Sequence, residues 1–579
     1  MSHQRRASAV LAAIAAVSAT ALQAGGAASA QEPAAPTYSV TVGSIGAWTN
    51  PDDTPASLFL DRDGTFHYEQ AHSLYGASDP REWLFYQGTD FDHTTADETR
   101  SNHDTTAQCN NSPTGVEATN APAGSGYSQR NYCDISGIWV DPDSGDWYGL
   151  VHNEFTPQPF GDRLHYDAID YAVSTDDGRT WDIKGHAITS PYSTKRGDTA
   201  AFPQQTFYYG DGDQRLLVDP ASGYFYAFYG SRVVDKGGSW RAFYEHVARA
   251  PISKKMASGS WQKWYDGHWS QPGVGGKESN MTPVTADSPT GYTAPDKEYD
   301  PANPGTAAQQ VAAGTMPATS PLFVMDVTYD AYLGLYIGEP QAVDQSGNAP
   351  QEYYATRDLA TQRWFELGDT GSYHTASWYR WFLDGANATS TSIVGRTFRS
   401  YCSYACSASD DEYANVTIDS SAPAAPVRSG AAYRVVSGGG QALDEVGSTG
   451  RTTSTRGARD AWTFTATGDG AYTIADGAGR LLGVDASTTA SRAWGTRPTV
   501  GRAASTGPSV GQQWFVVPTT SSAGHATGTF RLVNRYSGLV LGLPATHAGS
   551  AETTPARSWS GAGRTPAEQT LTLTRVGRG

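Results

Sequence analysis

A strand-turn-strand pattern recurs along the first two thirds of the chain and limits its fold more than any other feature. Each copy reads as an apolar strand, an aspartate, a turn and an aromatic strand that ends in polar residues. The copies span residues 58–71, 138–155, 216–233 and 322–341, with a weaker fifth at 381–399. Their turn aspartates are Asp61, Asp141, Asp219, Asp326 and Asp384. The pattern predicts the same pair of antiparallel strands five times.

The chain between the copies is long enough for two further strands in each repeat. Two such outer strand pairs are visible, at residues 166–182 and 352–368. No long run has the apolar period of a helix. Four-stranded sheets that repeat around an axis leave only short, protected edges, which is the arrangement of a β-propeller. The sequence therefore predicts an all-β chain with a five-bladed β-propeller over residues 37–420.

Residues 174–181 read S-T-D-D-G-R-T-W and resemble the Asp-box turn of the sialidase superfamily and other glycan-acting propellers. In this motif Asp176 accepts backbone N–H bonds, Gly178 supplies a positive φ and Trp181 packs between blades. Residues 353–364 resemble the degenerate form of the box in five-bladed propellers of the arabinanase, xylosidase and fructosidase type. The resemblance implies a propeller and leaves the chemistry open, because the motif lies on the outer rim.

A Pro/Ala-rich linker, residues 421–429, precedes a segment rich in Gly, Ser and Thr. Three copies of a second repeat begin at Tyr433, Tyr472 and Phe530. Together with Gln512-Gln-Trp514 they resemble the ricin-type β-trefoil over residues 430–576.

The trefoil resemblance implies one or two sugar sites. Lobes of this family bind sugar through an aspartate after the second strand, a place held by Asp485 and Asp444, while the third lobe has Pro544 there. Gln512 and Trp514 carry the intact signature and are predicted sugar-binding residues. The alternative is a trefoil kept only for solubility or fold.

The first thirty residues have the order of a secretory signal peptide. Arg5 and Arg6 precede an Ala-rich apolar run, and residues 28–30 form a small-residue cleavage site. We therefore expect a secreted, extracellular protein without a membrane span. A formal net charge of −17 argues against nucleic acid as a partner. We expect a monomer that binds polysaccharide or oligosaccharide.

Four cysteines, Cys109, Cys133, Cys402 and Cys406, allow three pairings. The local pairs Cys109–Cys133 and Cys402–Cys406 are favoured because each lies within one segment. No Cys/His spacing resembles a zinc site, so no cofactor is expected. A structural calcium ion is left open by two polar, Gly-containing loops, residues 195–198 and 210–215.

Each repeat carries ionisable or polar residues just after its aromatic strand, where the strand ends of a propeller converge on a central tunnel. They are Glu69, His152, Glu154, Ser231, Arg232 and Glu339. Glycoside hydrolysis needs two carboxyl groups, one protonated and one ionised. Glu154 and Glu339 are the predicted catalytic pair and Glu69 the third carboxylate, with Asp198 as its alternative. Taken singly, each glutamate could be a strand-end residue that faces solvent or pairs with arginine.

Further residues are predicted to bind substrate: His152, His165, Arg215, Arg232, Glu278 and Trp378. The combined prediction is a secreted glycoside hydrolase that cleaves a plant or microbial polysaccharide and is held on it by the trefoil. A first alternative is a sialidase-like hydrolase of an acidic sugar, with a clamp drawn from Arg163, Arg215, Arg232, Arg380 and Arg399. A non-catalytic lectin and a lyase are further alternatives.

Overall fold

The computed structural model describes most of the chain after the predicted signal peptide, which lies outside the described residues. These are 35–48, 54–72, 82–117, 132–154, 167–195, 198–236, 240–344, 349–374, 378–404, 406–407, 411–447, 449–457, 459–545 and 549–577. Residues Thr37–Gly579 form one compact unit. Among the described helices, none has the length and apolar character needed to cross a membrane.

Five small sheets make up the chain before residue 421. Their strands are β1 (Tyr38–Ala47), β2 (Ser57–Leu60), β3 (Phe66–His72), β4 (Glu82–Asp90), β5 (His93–Ala96), β6 (Tyr132–Val140), β7 (Trp147–Glu154), β8 (Ala168–Ser174), β9 (Asp182–Thr189), β10 (Thr206–Asp219), β11 (Tyr224–Asp235), β12 (Trp240–Pro251), β13 (Gln262–Tyr265), β14 (His268–Pro272), β15 (Asp326–Asp330), β16 (Leu335–Glu339), β17 (Pro350–Thr356), β18 (Phe365–His374), β19 (Trp378–Asp384), β20 (Ile393–Val394), β21 (Thr397–Tyr404) and β22 (Glu412–Ser420). The described helices are α1 (Thr106–Asn110), α2 (Pro113–Glu117) and α3 (Ala307–Ala312), and a 3₁₀ turn spans Ile252–Lys254.

Each sheet is one blade of a five-bladed propeller, as predicted. Blade 1 contains β2–β5, blade 2 β6–β9, blade 3 β10–β14, blade 4 β15–β18 with β20 beside β15, and blade 5 β19, β21, β22 and β1. Strand β1 pairs antiparallel with β22, from Tyr38 opposite Ser420 to Ala47 opposite Glu412. The first strand therefore completes the last blade and closes the ring. Neighbouring inner strands β2, β6, β10, β15 and β19 contact one another in sequence around the centre.

The turns between the first and second strands of the blades share an aspartate that accepts backbone N–H bonds. Asp219 accepts from Ala221 (3.0 Å) and Ser222 (2.9 Å), and Asp330 accepts from Tyr332 (2.8 Å) and Leu333 (2.9 Å). The five aspartates are Asp61, Asp141, Asp219, Asp330 and Asp384. We call the face that carries these turns the lower face and the opposite one the upper face.

The predicted turn aspartate of the fourth repeat, Asp326, is wrong by four residues. Asp326 pairs with Glu339 at the open end of the β15–β16 hairpin, whereas Asp330 pairs with Leu335 beside the turn. The apolar run 322–325, which suggested the strand, is a buried turn before it. The observed register therefore places Asp326 at the upper face, at the same end of the hairpin as Glu339.

The predicted Asp-box forms the turn between β8 and β9. Asp176 accepts hydrogen bonds from the Thr180 N–H (2.9 Å) and the Ser174 hydroxyl (2.8 Å). Gly178 has φ 83°, and a Cβ there would lie 2.3 Å from the Trp147 ring. Trp181 packs on Phe85 of blade 1, with ring centroids 6.3 Å apart. The motif therefore joins blades 1 and 2, as predicted.

The chain after residue 430 forms a sixth sheet of twelve strands, which we call the C-terminal domain. Its strands are β23 (Ala431–Ser437), β24 (Gln441–Glu445), β25 (Thr452–Arg456), β26 (Trp462–Ala466), β27 (Ala471–Ala475), β28 (Leu481–Gly483), β29 (Thr499–Gly501), β30 (Trp514–Thr520), β31 (Ala526–Asn534), β32 (Val540–Gly542), β33 (Glu552–Thr554) and β34 (Leu571–Arg575). Short 3₁₀ turns span Thr489–Arg492, Val510–Gln512 and Pro566–Glu568.

The twelve strands divide into three groups of four. Strands β23, β26, β27, β30, β31 and β34 pair in a closed ring, and the hairpins β24–β25, β28–β29 and β32–β33 extend from it. This order agrees with the three-fold sequence repeat; the ricin-type trefoil assignment stays a prediction.

The C-terminal domain packs against the lower face of the propeller. Backbone N–H groups of Trp494 and Thr520 donate to the carbonyls of Arg62 (3.0 Å) and Ala221 (3.1 Å), in the turns of blades 1 and 3. Apolar residues from both parts form one cluster, which includes Ala221, Ala331, Ile393, Phe515 and Val540. A cavity of about 220 Å³ lies between them, lined from the propeller by inner-strand residues such as Leu58 and Val218. The domain therefore covers the lower end of the central channel.

Both predicted disulfides, Cys109–Cys133 and Cys402–Cys406, are present. Cys109 and Cys133 are buried in the core of blades 1 and 2.

Candidate active site

The second strands of the blades end at the upper face, so residues far apart in sequence reach the same end of the channel. Glu154 ends β7 opposite Tyr132 of the inner strand, and Glu339 ends β16 opposite Asp326. Arg232 lies near the end of β11. All three side chains are buried.

The inner strand of blade 3 carries acidic side chains to two different sides of its sheet. Residues 210–215, predicted as a loop, lie inside β10, so that interpretation is wrong. Register shifts flank Asp211 and Arg215, and Asp213 has φ 53°. Asp211 lies opposite Ser231 and binds Lys263, whereas Asp213 binds Arg232. The irregular backbone therefore separates two carboxylates that are two residues apart.

Asp213 is the centre of a buried polar network at the upper face. Its carboxylate pairs with Arg232 and accepts a hydrogen bond from the Tyr379 hydroxyl (3.3 Å). Its backbone N–H donates to Nδ1 of His152 (3.1 Å), and Nη1 of Arg215 donates to its carbonyl (3.0 Å). These contacts join blades 2, 3 and 5.

The network determines which of its groups are charged. Burial alone would raise the pKa of Asp213, but the Arg232 and Arg215 guanidinium groups contribute to holding it below its ordinary value. Burial lowers the pKa of His152 to about 4, so its ring is neutral at pH 7. Asp213 is therefore an ionised carboxylate that is buried among the groups that bind it.

Glu339 has the opposite character. Burial raises the pKa of its carboxyl well above the ordinary value, although Arg380 and the Ser400 hydrogen bond oppose the rise. The Ser400 hydroxyl donates to Oε2 of Glu339 at 2.6 Å, and Nη1 of Arg380 donates to Ser400 at 3.4 Å. Burial also raises the pKa of neighbouring Asp326 to about 6, against the charge of Arg215. Glu339 therefore keeps its proton to a higher pH than an exposed glutamate does.

Glu154 belongs to the same charged group through Asp167. Asp167 lies 3.7 Å from Arg232, measured from Oδ2 to Nη1. Its pKa is raised well above the ordinary value by burial, with Arg232 opposing and the Glu154 charge adding to the rise. A series of neighbouring acids, with arginines between them, therefore runs from blade 2 to blade 4. The acids are Glu154, Asp167, Asp213, Asp326 and Glu339.

Two other predicted carboxylates have different surroundings. Glu69 is buried on β3, opposite Ser57 of the inner strand of blade 1. Asp198 is partly exposed and accepts hydrogen bonds from Ser193 (2.7 Å) and the N–H groups of Ala200 (3.1 Å) and Ala201 (3.0 Å). Asp198 therefore stabilises a turn, and the structure does not bring it to the buried acids.

Glu278 lies on the other side of the blade 3 sheet from Asp213. It pairs with Lys263 and accepts hydrogen bonds from the hydroxyls of Tyr208 (2.7 Å) and Tyr229 (2.9 Å). Glu278 lines a cavity separate from the Asp213 network, and its predicted contact with substrate stays a prediction.

Trp378 is half-buried at the edge of the Asp213 network, with its ring 5.8 Å from the Arg232 guanidinium. This position suits the predicted substrate contact. His165 and Arg163 lie outside the described residues.

Sequence reasoning missed Asp167 and Tyr379 and misread Asp213. Tyr379 follows Trp378 and has φ 57°, which turns its hydroxyl toward Asp213. Asp213 was visible in the sequence but interpreted as a loop residue. The available signal was the run of two aspartates and Arg215 directly before the apolar strand of the third repeat.

The structure contradicts part of the prediction of sugar-binding residues in the C-terminal domain. Trp514 is fully buried and donates to the Leu482 carbonyl (2.9 Å), so it cannot stack on a sugar. Gln512 bonds within its own turn, accepting from the Ser509 N–H (3.2 Å). Trp514 is therefore a core residue and its assignment as a sugar ligand is wrong, whereas the assignment of Gln512 stays a prediction.

Asp485 and Asp444 remain candidates for sugar binding. Asp485 is exposed and bonds Ser487, and Asp444 is half-buried on β24. Burial and the hydrogen-bonded neighbour Asp460 raise the pKa of Asp444 to about 6.

The described residues contain no group of three or more His, Cys, Asp or Glu side chains arranged to hold a metal ion. The acids of segment 210–215, left open as a calcium loop, bind Lys263 and Arg232 instead.

No family model and no curated protein matches the chain. Among solved structures it is similar to an exo-beta-1,3-galactanase from Clostridium thermocellum, at 12% identity, over 92% of this chain and 100% of that chain, with a TM-score of 0.31. It is also similar to the catalytic domain of a GH62 alpha-L-arabinofuranosidase from Coprinopsis cinerea, at 11% identity, over 66% of this chain and 97% of that chain, with a TM-score of 0.34. A designed three-fold symmetric protein, ThreeFoil, matches at 18% identity over 25% of this chain and 99% of that chain, with a TM-score of 0.20. The function proposed below therefore rests on the side chains of this chain alone.

Proposed function

We propose that this chain is a secreted glycoside hydrolase whose active site is the upper-face group of carboxyls. The observation that carries the proposal is the division of charge between acids from different blades. Burial raises the pKa of Glu339 well above its ordinary value, while the arginines help to hold the pKa of Asp213 below its own. A carboxyl that keeps its proton, in a field of fixed charges that keeps neighbouring carboxylates ionised, suits acid-base cleavage of a glycosidic bond.

Glu339 is the proposed general acid. Its proton passes to the glycosidic oxygen as the bond to the anomeric carbon breaks. Glu154 is the proposed second carboxylate, which takes a proton from the attacking water or attacks the anomeric carbon itself. Asp213 is a positioning residue, because Arg232 and Tyr379 hold it in place and its charge adds to the field at the site.

The route to the site supports this assignment. The C-terminal domain covers the lower end of the channel, so substrate enters from the upper face. Trp378 lies at the edge of that face and offers an indole ring on which a sugar can stack. The two disulfides are typical of proteins that fold in an oxidising compartment, which suits the proposed secretion.

The experiment is a screen of neutral plant and microbial polysaccharides and aryl glycosides with purified protein, read as release of reducing ends or of the aryl group. Glu339→Gln protein from the same preparation controls for contaminating enzymes. Cleavage by wild type and none by the variant supports the proposal. Equal cleavage by both places the activity elsewhere.

A second candidate is a hydrolase of an acidic sugar, favoured by unsatisfied arginine donors. Nε and Nη2 of Arg215 and of Arg380 are buried without a hydrogen-bond partner among the described residues. A sugar carboxylate would satisfy such donors bidentately. Arg399 does not belong to the proposed clamp, because it pairs with Asp92 at 2.6 and 2.8 Å, close to the lower turn of blade 5. Cleavage confined to uronic-acid or sialic-acid aryl glycosides would select this candidate.

A further inference from the structure

A cavity of about 590 Å³ opens in the upper half of blade 3, apart from the central site. Its floor is formed by Tyr208, Tyr299, His246, Glu278 and Glu298. The floor is mostly buried, with Tyr299 only 4% exposed. The volume lies in the range of small-molecule sites, about 300–1,000 Å³.

The sheet of blade 3 separates this cavity from the proposed catalytic group. Ser231 and Arg232 are successive residues of β11 and point to opposite faces. Ser231 hydrogen-bonds the His246 ring at 2.7 Å on the cavity side. Arg232 pairs with Asp213 on the other side. A ligand in the cavity would therefore not touch the central acids.

One wall is an ordered connection that the propeller itself does not need. Residues 273–325 join β14 to β15 and contain helix α3, whose first turn is capped by Thr306 and Gln309. This connection supplies Glu278, Glu298 and Tyr299. Connections of this length are uncommon in compact domains, and one that is folded onto a cavity is a candidate for a functional role.

The cavity combines aromatic walls with hydrogen-bonding groups. Tyr265 is half-buried at the wall, and the rings of Tyr208 and Tyr299 stack with centroids 5.7 Å apart. Burial raises the pKa of Glu298 to about 8, so its carboxyl can donate a hydrogen bond at neutral pH. Flat rings beside fixed donors and acceptors suit a sugar, which has an apolar ring face and hydroxyl edges.

The charges around the cavity nearly cancel. Its mouth carries the exposed cations Lys277 and Lys297 and the exposed anions Asp296 and Asp300. Glu278 on the floor is paired with buried Lys263. A strongly charged ligand gains little from such surroundings, so they favour a neutral one.

We propose that this cavity is an accessory binding site for a neutral saccharide, separate from the catalytic centre. The site does not depend on the chain being a hydrolase. An oligosaccharide of two or three residues would place one ring between Tyr265 and the floor, with its hydroxyls on Glu298.

The test is calorimetric titration of the full chain with xylotriose, arabinotriose and galactobiose, and with glucosamine and galacturonate as charged probes. The Glu339→Gln variant is used so that no probe is consumed. We expect at least one neutral probe to bind and Tyr265→Ala to weaken it by about tenfold. Glu298→Ala should weaken the same probe.

Tyr292→Ala is the matched control, because Tyr292 is a partly exposed tyrosine of the same connection that does not line the cavity. It should leave the affinity within about twofold. The proposal is overturned if no neutral probe binds, if only a charged probe binds, or if Tyr265→Ala binds like Tyr292→Ala. Because hydrolysis is not measured, failure here is distinct from failure of the proposed enzyme activity.

Discussion

Arg535 of the C-terminal domain donates two hydrogen bonds to Asp384 of blade 5, from Nε at 2.9 Å and from Nη2 at 2.8 Å. Both side chains are buried, at 3% and 0% exposure. The pair connects the domain to the same row of turn aspartates that defines the propeller repeat. It indicates a fixed lower boundary for the channel rather than a loosely tethered module.

Arg535→Met should destabilise the protein by about 3–5 kcal/mol, because the charge of Asp384 would remain buried without its partner. The measurement is the urea unfolding midpoint at pH 7. Arg502→Met, at an exposed arginine of the same domain, is the control and should leave the unfolding midpoint almost unchanged. A midpoint for Arg535→Met equal to that control would contradict a tight interface.

Lys263→Met should also destabilise the folded protein by about 3–5 kcal/mol, because Lys263 is the buried counter-ion of Asp211 and Glu278. Thermal unfolding followed by circular dichroism would measure it. The exposed Lys254→Met should change the midpoint little. Should both variants unfold at the same temperature, the buried ion network would have no structural role.

Asp330→Asn should change how stability depends on pH. Burial raises the pKa of Asp330 from 3.8 to about 8, so the folded state holds a proton that the unfolded state releases between these values. The contribution of Asp330 to the free energy of unfolding is therefore fully present below about pH 4 and is lost as the pH rises toward 8. The asparagine variant should lose less stability over that interval, by at least about 1 kcal/mol.

Urea midpoints at pH 4.5 and pH 8 would measure this difference. Asp358→Asn is the control, since Asp358 accepts two similar turn bonds, from Ala360 (3.0 Å) and Thr361 (2.8 Å), at a half-buried position. Identical pH slopes for wild type and Asp330→Asn would show that Asp330 is ionised in the folded protein.

The pH profile of activity should reflect Glu339. A general acid must be protonated, and burial raises the pKa of this carboxyl well above its ordinary 4.5. The alkaline fall of kcat/KM should therefore lie well above pH 4.5. A fall centred near pH 4.5 would mean that the acid is an ordinary exposed carboxyl and not Glu339.

The repeated hairpin predicted the five blades, and strand register places Glu154 and Glu339 at equivalent ends of their second strands. Asp213 could not be predicted from the same pattern, since its direction depends on an irregular stretch of β10 and a φ of 53°. Lys263 was missed because its partners come from β10 and from the connection after β14. Trp514 was misjudged because a signature tryptophan can serve the core as well as a ligand.

The measurement that bears most directly on the proposed active site compares kcat/KM of wild type, Glu154→Gln and Glu339→Gln on a polysaccharide or aryl glycoside that wild type cleaves. Each substitution preserves shape but removes a carboxyl, so we expect losses on the order of 10²–10⁴-fold with unchanged thermal midpoints. Activity of either variant within a few fold of wild type would contradict the assignment.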